Sequence, residues 1–213
     1  MSQYLTGQST RRKELEKEKK RKTILQAART VFAERGYDAS TLDDIALRAG
    51  FAKGTIYLYF NSKEELFLSL MEEEIGRFVG IVKKVKSAQG CPSHRLSSLV
   101  QEVLTHLEAH KDFFRIFTPE QGGLTEKHHP ELRRRILPKY RRVLSLTSSL
   151  IREGIREREI RKSDPLTLAH ALTGLVNAMV GRWILEGCRG SLMKYSKIIV
   201  SVFFDGVRRS SPR

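Results

Sequence analysis

Apolar residues recur along this chain at helical spacing. Ile24, Ala27, Ala28, Val31 and Phe32 follow the i, i+3, i+4, i+7, i+8 pattern of one buried helix face, closed by Gly36. Ser40 and Thr41 offer an N-cap for a second helix, whose first turn carries Asp43 and Asp44 where the helix dipole favours carboxylates. Leu42, Ile45, Ala46 and Ala49 give that helix a single narrow stripe. A third helix is predicted over Lys53–Tyr59, with Ile56 and the following Phe60 turned inward. Ser62 with Glu65 reads as a capping box for a fourth, running from about Lys63 into the basic Lys83–Lys86 stretch.

The periodicity breaks around Ala88-Gln89-Gly90-Cys91-Pro92 and resumes with Leu96, Leu99, Val100, Val103, Leu104 and Leu107. Turn formers fill Thr118–Pro130, which predicts a loop. Glu131–Arg158 is a long amphipathic segment in which Pro138 predicts a kink or a later start. Asp164-Pro165 places cap and N1 proline in the favoured order for a helix to Gly187, about 34 Å long at 1.5 Å per residue. A last helix is expected over about Ser191–Arg208. No segment alternates apolar and polar residues long enough to read as a strand, so the predicted class is all-α.

Composition narrows the function. The 213 residues are 40% hydrophobic, enough to fill a core, which argues against wholesale disorder. Thirty-nine Lys and Arg against 24 Asp and Glu leave a net charge of +15, which suits a polyanionic partner, either nucleic acid or an acidic membrane surface. Cys91 and Cys188 cannot make a disulfide framework or a four-ligand zinc site. No uninterrupted apolar run approaches the ~18 residues of a membrane span, and the N-terminus lacks the apolar core of a secretory signal. A soluble, cytoplasmic protein without a membrane partner is expected.

Thr41–Phe60 is the informative stretch. Two short helices joined by a tight turn at Gly50-Phe51 make a helix-turn-helix, whose second helix enters the DNA major groove while the first crosses the backbone. Ala46 and Ala49 are small where the helices must approach, and Gly54 lets backbone come close to a phosphate. Lys53, Thr55, Tyr57 and Tyr59 present hydrogen-bond donors on a short surface. A bland reading of the same residues makes Ile56, Phe60, Leu66 and Phe67 core and leaves Tyr57 with a buried ring and a wet hydroxyl.

The segment Phe51-Ala52-Lys53-Gly54-Thr55-Ile56-Tyr57-Leu58-Tyr59-Phe60-Asn61-Ser62-Lys63-Glu64-Glu65-Leu66 closely resembles the recognition segment of the tetracycline-repressor (TetR) family of bacterial transcription regulators. Upstream, Ile24-Leu25, Ala27-Ala28, Phe32, Gly36-Tyr37, Thr41, Ile45-Ala46 and Ala49-Gly50 also match, so the resemblance covers roughly residues 17–77. It implies that Thr41 caps the second helix and touches a phosphate. Lys53, Thr55 and Leu58 would sit towards base edges, while Tyr57, Tyr59 and Lys63 would hold the backbone. Leu58 stands where relatives often carry an aromatic residue. The implied organisation is a basic arm over 1–16, a helix-turn-helix domain over 17–77 and an effector-binding and dimerisation domain over 78–213. The implied partners are double-stranded operator DNA, a second copy of the chain and a small hydrophobic or amphipathic effector.

Residues 1–22 carry eight basic and three acidic side chains, 8 − 3 = +5. This reads either as a solvated helix laced by Glu16–Lys20 and Glu18–Lys22 pairs, or as an extension that touches phosphates or the minor groove. The cluster Arg133–Arg135 with Lys139, Arg141 and Arg142 reads as a solvated face. For pairing, Leu172, Leu175, Val176 and Val180 on one helix and Ile198, Ile199, Val202 and Phe203 on the next could form a four-helix bundle between two copies. For an effector pocket, the candidates are Phe113, Phe114, Phe117, Tyr140, Met179 and Trp183, with His106, His110 and Asn177 as polar anchors. An ordinary filled core explains the same residues. His106 and His110 share a helix face and His128-His129 lies near Glu126 and Glu131, but neither set has zinc-ligand spacing, so no metal or cofactor is expected. No nucleophile elbow, phosphate loop or paired carboxylates appear, which leaves catalysis little to stand on. The remaining alternative is a basic architectural or membrane-surface protein without sequence preference.

Overall fold

The computed structural model describes residues 2–115 and 130–207; for 2–10, 113, 115, 130, 132, 133 and 207 it describes the backbone alone. The described residues form helices and no strand: α1 (Ser2–Arg35), α2 (Leu42–Ala49), α3 (Lys53–Tyr57), α4 (Lys63–Lys86), α5 (Pro92–Ala109), α6 (Lys111–Arg115), α7 (Pro130–Arg156), α8 (Pro165–Leu185), a 3-10 turn (Leu192–Tyr195) and α9 (Ser196–Val207). Two compact units divide within α4, between Met71 and Glu72, ahead of the boundary expected after residue 77.

In the first unit the apolar stripe of α1 lies buried: Ile24, Ala28, Val31 and Phe32 are almost fully removed from water, with Ile45 of α2, Ile56 of α3 and Phe60. Each large side chain so buried contributes about 1.5–3 kcal/mol. Phe32, Tyr37 and Phe67 meet edge-on or tilted, with ring centroids 5.1–5.7 Å apart, tying α1, the loop after it and α4 together. Of the arm expected over 1–16, residues 2–16 are helical and continuous with the rest of α1, and residues 11–20 are exposed all round. α3 stops at Tyr57, two residues short of expectation, because the Leu58 and Tyr59 N–H groups turn back to Thr55 and Ile56 carbonyls.

The second unit packs α5, α7, α8 and α9 around Leu96, Leu104, Leu150, Ile151, Ala169, Trp183 and Leu192. Gly154 of α7 is glycine for want of space: a Cβ there would stand 2.8 Å from Ile160 Cδ1 and 3.3 Å from Pro92 Cβ. Pro138 neither starts nor ends α7 but lies inside it. It sits on an exposed face, where water can take the carbonyl its missing N–H leaves unbonded. α8 begins as expected, with the Asp164 carboxylate accepting the Thr167 N–H at 2.7 Å. It ends at Leu185, and the expected last helix divides into the 3-10 turn and α9, where the Ser191 hydroxyl caps the turn. By length and composition α8 would be long and apolar enough to cross a membrane, which corrects the expectation that no such segment exists. Here it packs on α7 and α9 and buries Leu168, Ala169, Leu172, Val176 and Trp183.

Candidate nucleic-acid interface and effector region

Thr41 fixes the start of the helix-turn-helix. Its hydroxyl accepts the Asp44 N–H at 3.1 Å and donates to the Asp44 carboxylate at 2.7 Å, while its own N–H donates to that carboxylate at 3.0 Å. These bonds, with Arg35 alongside, hold the Asp44 carboxyl below its ordinary pKa. Gly50 ends α2 at φ 71°, a left-handed conformation that side chains avoid, and the Phe51 N–H returns to the Ala46 carbonyl at 3.0 Å.

The turn delivers α3 with Ile56 buried and the other face open. Tyr57 is 48% and Leu58 77% exposed, Lys53 and Gly54 are exposed, and Thr55 and Tyr59 are half-buried. A Cβ built on Gly54 would meet no atom within 4 Å, so what the glycine spares is room outside the chain. Lys53 donates to Asp43 at 2.8 Å, a bond that raises the lysine pKa. Both partners are more than half exposed, so this pair holds the ammonium weakly and leaves it exchangeable for a phosphate.

Lys63, expected to hold the DNA backbone, is bonded here to the chain's own backbone. Its ammonium donates to the carbonyls of Tyr37, Asp38 and Ser40 at 2.8, 3.1 and 2.9 Å and lies 4.4 Å from the Tyr37 ring centroid. All three N–H donors are thereby engaged on the loop between α1 and α2. Burial holds the Lys63 pKa down, and burial, helped by Glu64 and Asp38, pushes the Tyr37 phenol up to about 12. The capping box expected from Ser62 and Glu65 is half formed. Ser62 Oγ accepts the Glu65 N–H at 3.0 Å, but the Glu65 carboxylate accepts from the N–H and side-chain amide of Asn61, which offers two donors.

In the second unit His106, His110 and Phe114 do come together. The two imidazoles lie 4.4 Å apart edge-on, and Phe78 packs on both His106 and Phe114. Sequence reasoning missed the polar centre of this cluster. Glu74, 2% exposed, accepts from Arg77 and meets His106 Nε2 at 2.9 Å. The signal was legible: Glu74 stands in the stripe Phe67, Leu70, Phe78, Ile81 and Val85 of α4, the only charge in that sequence of positions. Nearby, Glu72 takes Arg135 at 2.7 Å and Lys139 at 3.6 Å, and these bonds, Arg135 first, hold its carboxyl below the ordinary value. Arg135 and Lys139 are thus tied to α4 and are not simply a solvated face.

Other expected pocket residues lie elsewhere. Trp183 is core, 2% exposed, with its indole N–H donating to the Gly190 carbonyl at 2.9 Å. Asn177 is exposed, which corrects its role as an inward anchor. Tyr140 and Met179 are half-buried against the core, the side chain of Phe113 is not described, and Phe117 lies outside the described residues, as does the loop expected over Thr118–Pro130 up to residue 129. Among the expected pairing residues, Leu172, Val176, Ile199 and Phe203 are buried within their own unit, because the inward side of each amphipathic helix is already filled. Leu175 and Val180 are half-buried, while Ile198 and Val202 are 49% and 48% exposed. Among the described residues no three His, Cys, Asp or Glu side chains converge as a metal site requires.

The chain matches the profile of bacterial regulatory proteins of the tetR family over residues 24–70, and that of the tetracyclin repressor-like C-terminal domain over 89–207. It is 26% identical over 185 residues to the fatty acid metabolism regulator protein of Bacillus subtilis, spanning 86% of this chain and 93% of that one. The solved structure of the fatty acid degradation regulator FadR from Bacillus halodurans superposes with a TM-score of 0.78 at 30% identity, over 90% of this chain and 97% of that one. FadR from Bacillus subtilis, in complex with stearoyl-CoA, superposes at 0.75 and 27% identity over 87% and 98%. Two profiles over both halves, and likeness along nearly the full length, make this chain a member of the TetR family of DNA-binding transcriptional regulators.

Proposed function

We propose that this chain is a homodimeric repressor, acting in the cytoplasm without catalysis, that binds a palindromic operator and is released by an amphipathic ligand of the acyl-CoA class. The observation that carries the DNA half is α3, whose apolar side is spent on Ile56 while Lys53, Tyr57 and the following Leu58 are exposed towards a groove, Lys53 held only by its exposed pair with Asp43. Five residues can read only a few bases, so useful specificity needs two copies on half-sites about 34–36 Å apart. Thr41, Gly54, Thr55 and Tyr59 then frame the phosphates and base edges around that helix, with Lys63 holding the loop behind Thr41.

The ligand class rests on similarity to the fatty acid regulators and is supported by the Phe78–His106–Phe114 cluster, apolar around a buried carboxylate, beside the cations of α7. α4 is the element common to both units and carries three ionic ties to its neighbours through Glu72 and Glu74. A ligand that rearranges those ties moves the helix from which α3 is hung. It must bind the DNA-incompetent state more tightly, and operator must then weaken ligand by the same factor.

The test is selection of bound duplexes from a random pool at about physiological salt, followed by titration of the selected complex with stearoyl-CoA. A palindrome recovered by the native chain and lost with Lys53→Ala and Tyr57→Phe is the expected result, with release by stearoyl-CoA but not by coenzyme A. Recovery of random sequence alone would replace this reading with that of a non-specific basic binder. Equal stearoyl-CoA affinity with and without operator would remove the ligand half.

A further inference from the structure

α1 is longer than the first unit needs. At 1.5 Å per residue its 34 residues span about 51 Å, and among those whose side chains are described, from residue 11 on, the buried positions begin only at Ile24. The stretch before them is exposed over residues 11–20, yet its charges are not scattered. Lys13, Lys17, Lys20, Ile24, Ala28 and Val31 follow one another at intervals of 4, 3, 4, 4 and 3 residues. The face that carries apolar side chains into the core thus continues beyond it as a row of lysines. On the opposite face Lys22 pairs with Glu18 at 3.7 Å, and at the edge of the row Arg12 pairs with Glu16 at 3.2 Å. Glu14 and Glu16 flank the lysine row on its two sides, and with Glu16 paired to Arg12 the three lysines leave it net positive.

Arg21 fixes where this row is rooted. Its guanidinium lies 5.2 Å over the ring of Phe60, three residues past the end of α3. The overhanging helix therefore starts beside the residues that follow α3, within the same unit.

The geometry points to a second DNA contact: the row Lys13, Lys17 and Lys20 binds backbone phosphates outside the half-site read by α3. Charge complementarity and the Arg21–Phe60 contact next to α3 both select DNA as the occupant, and the inference rests on the operator-binding function above. A helix in this position contributes no base contacts, so it adds affinity and length of site without changing the sequence preferred.

The experiment compares two triple variants of equal charge in the full chain: Lys13→Gln/Lys17→Gln/Lys20→Gln on the row, and Arg12→Gln/Lys19→Gln/Lys22→Gln on the other face. Glutamine keeps helix propensity close to that of lysine, and circular dichroism verifies that both fold. Removing one lysine–phosphate interaction flattens the slope of log K against log salt by about 0.9. With three lysines on each of two protomers, the row variant should flatten it by about 3–5 and weaken operator binding about 10–100-fold near physiological salt, with a shorter footprint and an unchanged palindrome. The other-face variant should change the slope by less than about 1. Equal slopes for the two variants, or no change in either, would overturn the proposal. So would a row variant that loses binding to phosphatidylglycerol vesicles while its operator slope stays intact. A native chain that selects no palindrome fails at an earlier step, the reading of operator binding itself, and is distinguished by the native measurement alone.

Discussion

α1 and α8 each extend past what their own unit covers, and they leave different surpluses in water. The uncovered part of α1 is charged along residues 11–22. The uncovered side of α8 is small and neutral: Ala171, Gly174, Asn177 and Ala178 are exposed, Leu166 and Leu185 are 48% and 70% exposed, and Arg182 is the one Lys, Arg, Asp or Glu in the helix. Ile198 and Val202 extend the same character onto α9. A charged surplus is stable in water and gains by meeting a polyanion. A neutral one gains only by being covered, and small side chains allow a second backbone to come close. Net charge and apolar content thus point to different partners once they are located on particular helices.

The sharpest way to break this contrast is to charge the neutral surface. At Gly174 a Cβ would meet nothing within 4 Å, and arginine is a better helix former than glycine, so Gly174→Arg should leave the protomer folded. On the proposed homodimer, sedimentation velocity should show monomer for this variant and dimer for the native chain, with operator affinity down on the order of 100-fold or more as the second half-site is lost. A dimer surviving this change would remove the neutral face from the interface.

Not every lysine in the first unit belongs to its surplus, and Lys63 marks the exception. Lys63→Met keeps the stem and removes three charge-assisted hydrogen bonds. We expect a loss of about 2 kcal/mol in urea unfolding and about tenfold in operator affinity. The slope of binding against salt should not change, because no phosphate partner goes with it; a flattening of about 0.9 would identify Lys63 as a phosphate ligand instead. A smaller effect is expected from Leu58→Ala, which tests an apolar exposure in the charged unit. At 77% exposure its stability change should stay within about 0.5 kcal/mol, while the selected half-site alters at one base pair.

The smallest effect concerns Glu72 in the second unit. Its folded pKa lies below the unfolded value, so between the two the unfolded chain binds more protons and stability rises with pH. The contribution is complete above the ordinary carboxylate pKa and is lost as pH falls through the folded value. Urea midpoints from about pH 6 down to about pH 3 should therefore fall less for Glu72→Gln than for the native chain.

The first unit was largely readable because its determinants are local. The α1 stripe, the Thr41 cap and the Gly50 turn each depend on residues within a few positions, and each stands where the spacing puts it. The contacts of Lys63 within the chain were not legible, because its partners lie 23 to 26 residues away and are backbone carbonyls, which carry no side-chain signature. In the second unit the apolar stripes of α8 and α9 were visible, but not which side each helix turns inward. Leu172, Val176, Ile199 and Phe203 are buried at home, whereas Ile198 and Val202 on the adjoining faces are left outside. An all-round apolar helix offers no polar face from which to read its rotation.

The position of the break within α4 has a practical consequence for hybrid regulators. Glu72 and Glu74 both fall on the far side of Met71, together with His106, Arg135 and Lys139. A biosensor assembled by joining residues up to Met71 to the ligand-responsive half of a relative would carry this chain's operator preference, and leave none of those carboxylates severed from its cation. A splice two turns later, after Phe78, would part Glu72 from Arg135 and Lys139 and Glu74 from His106, while Arg77 stayed with Glu74.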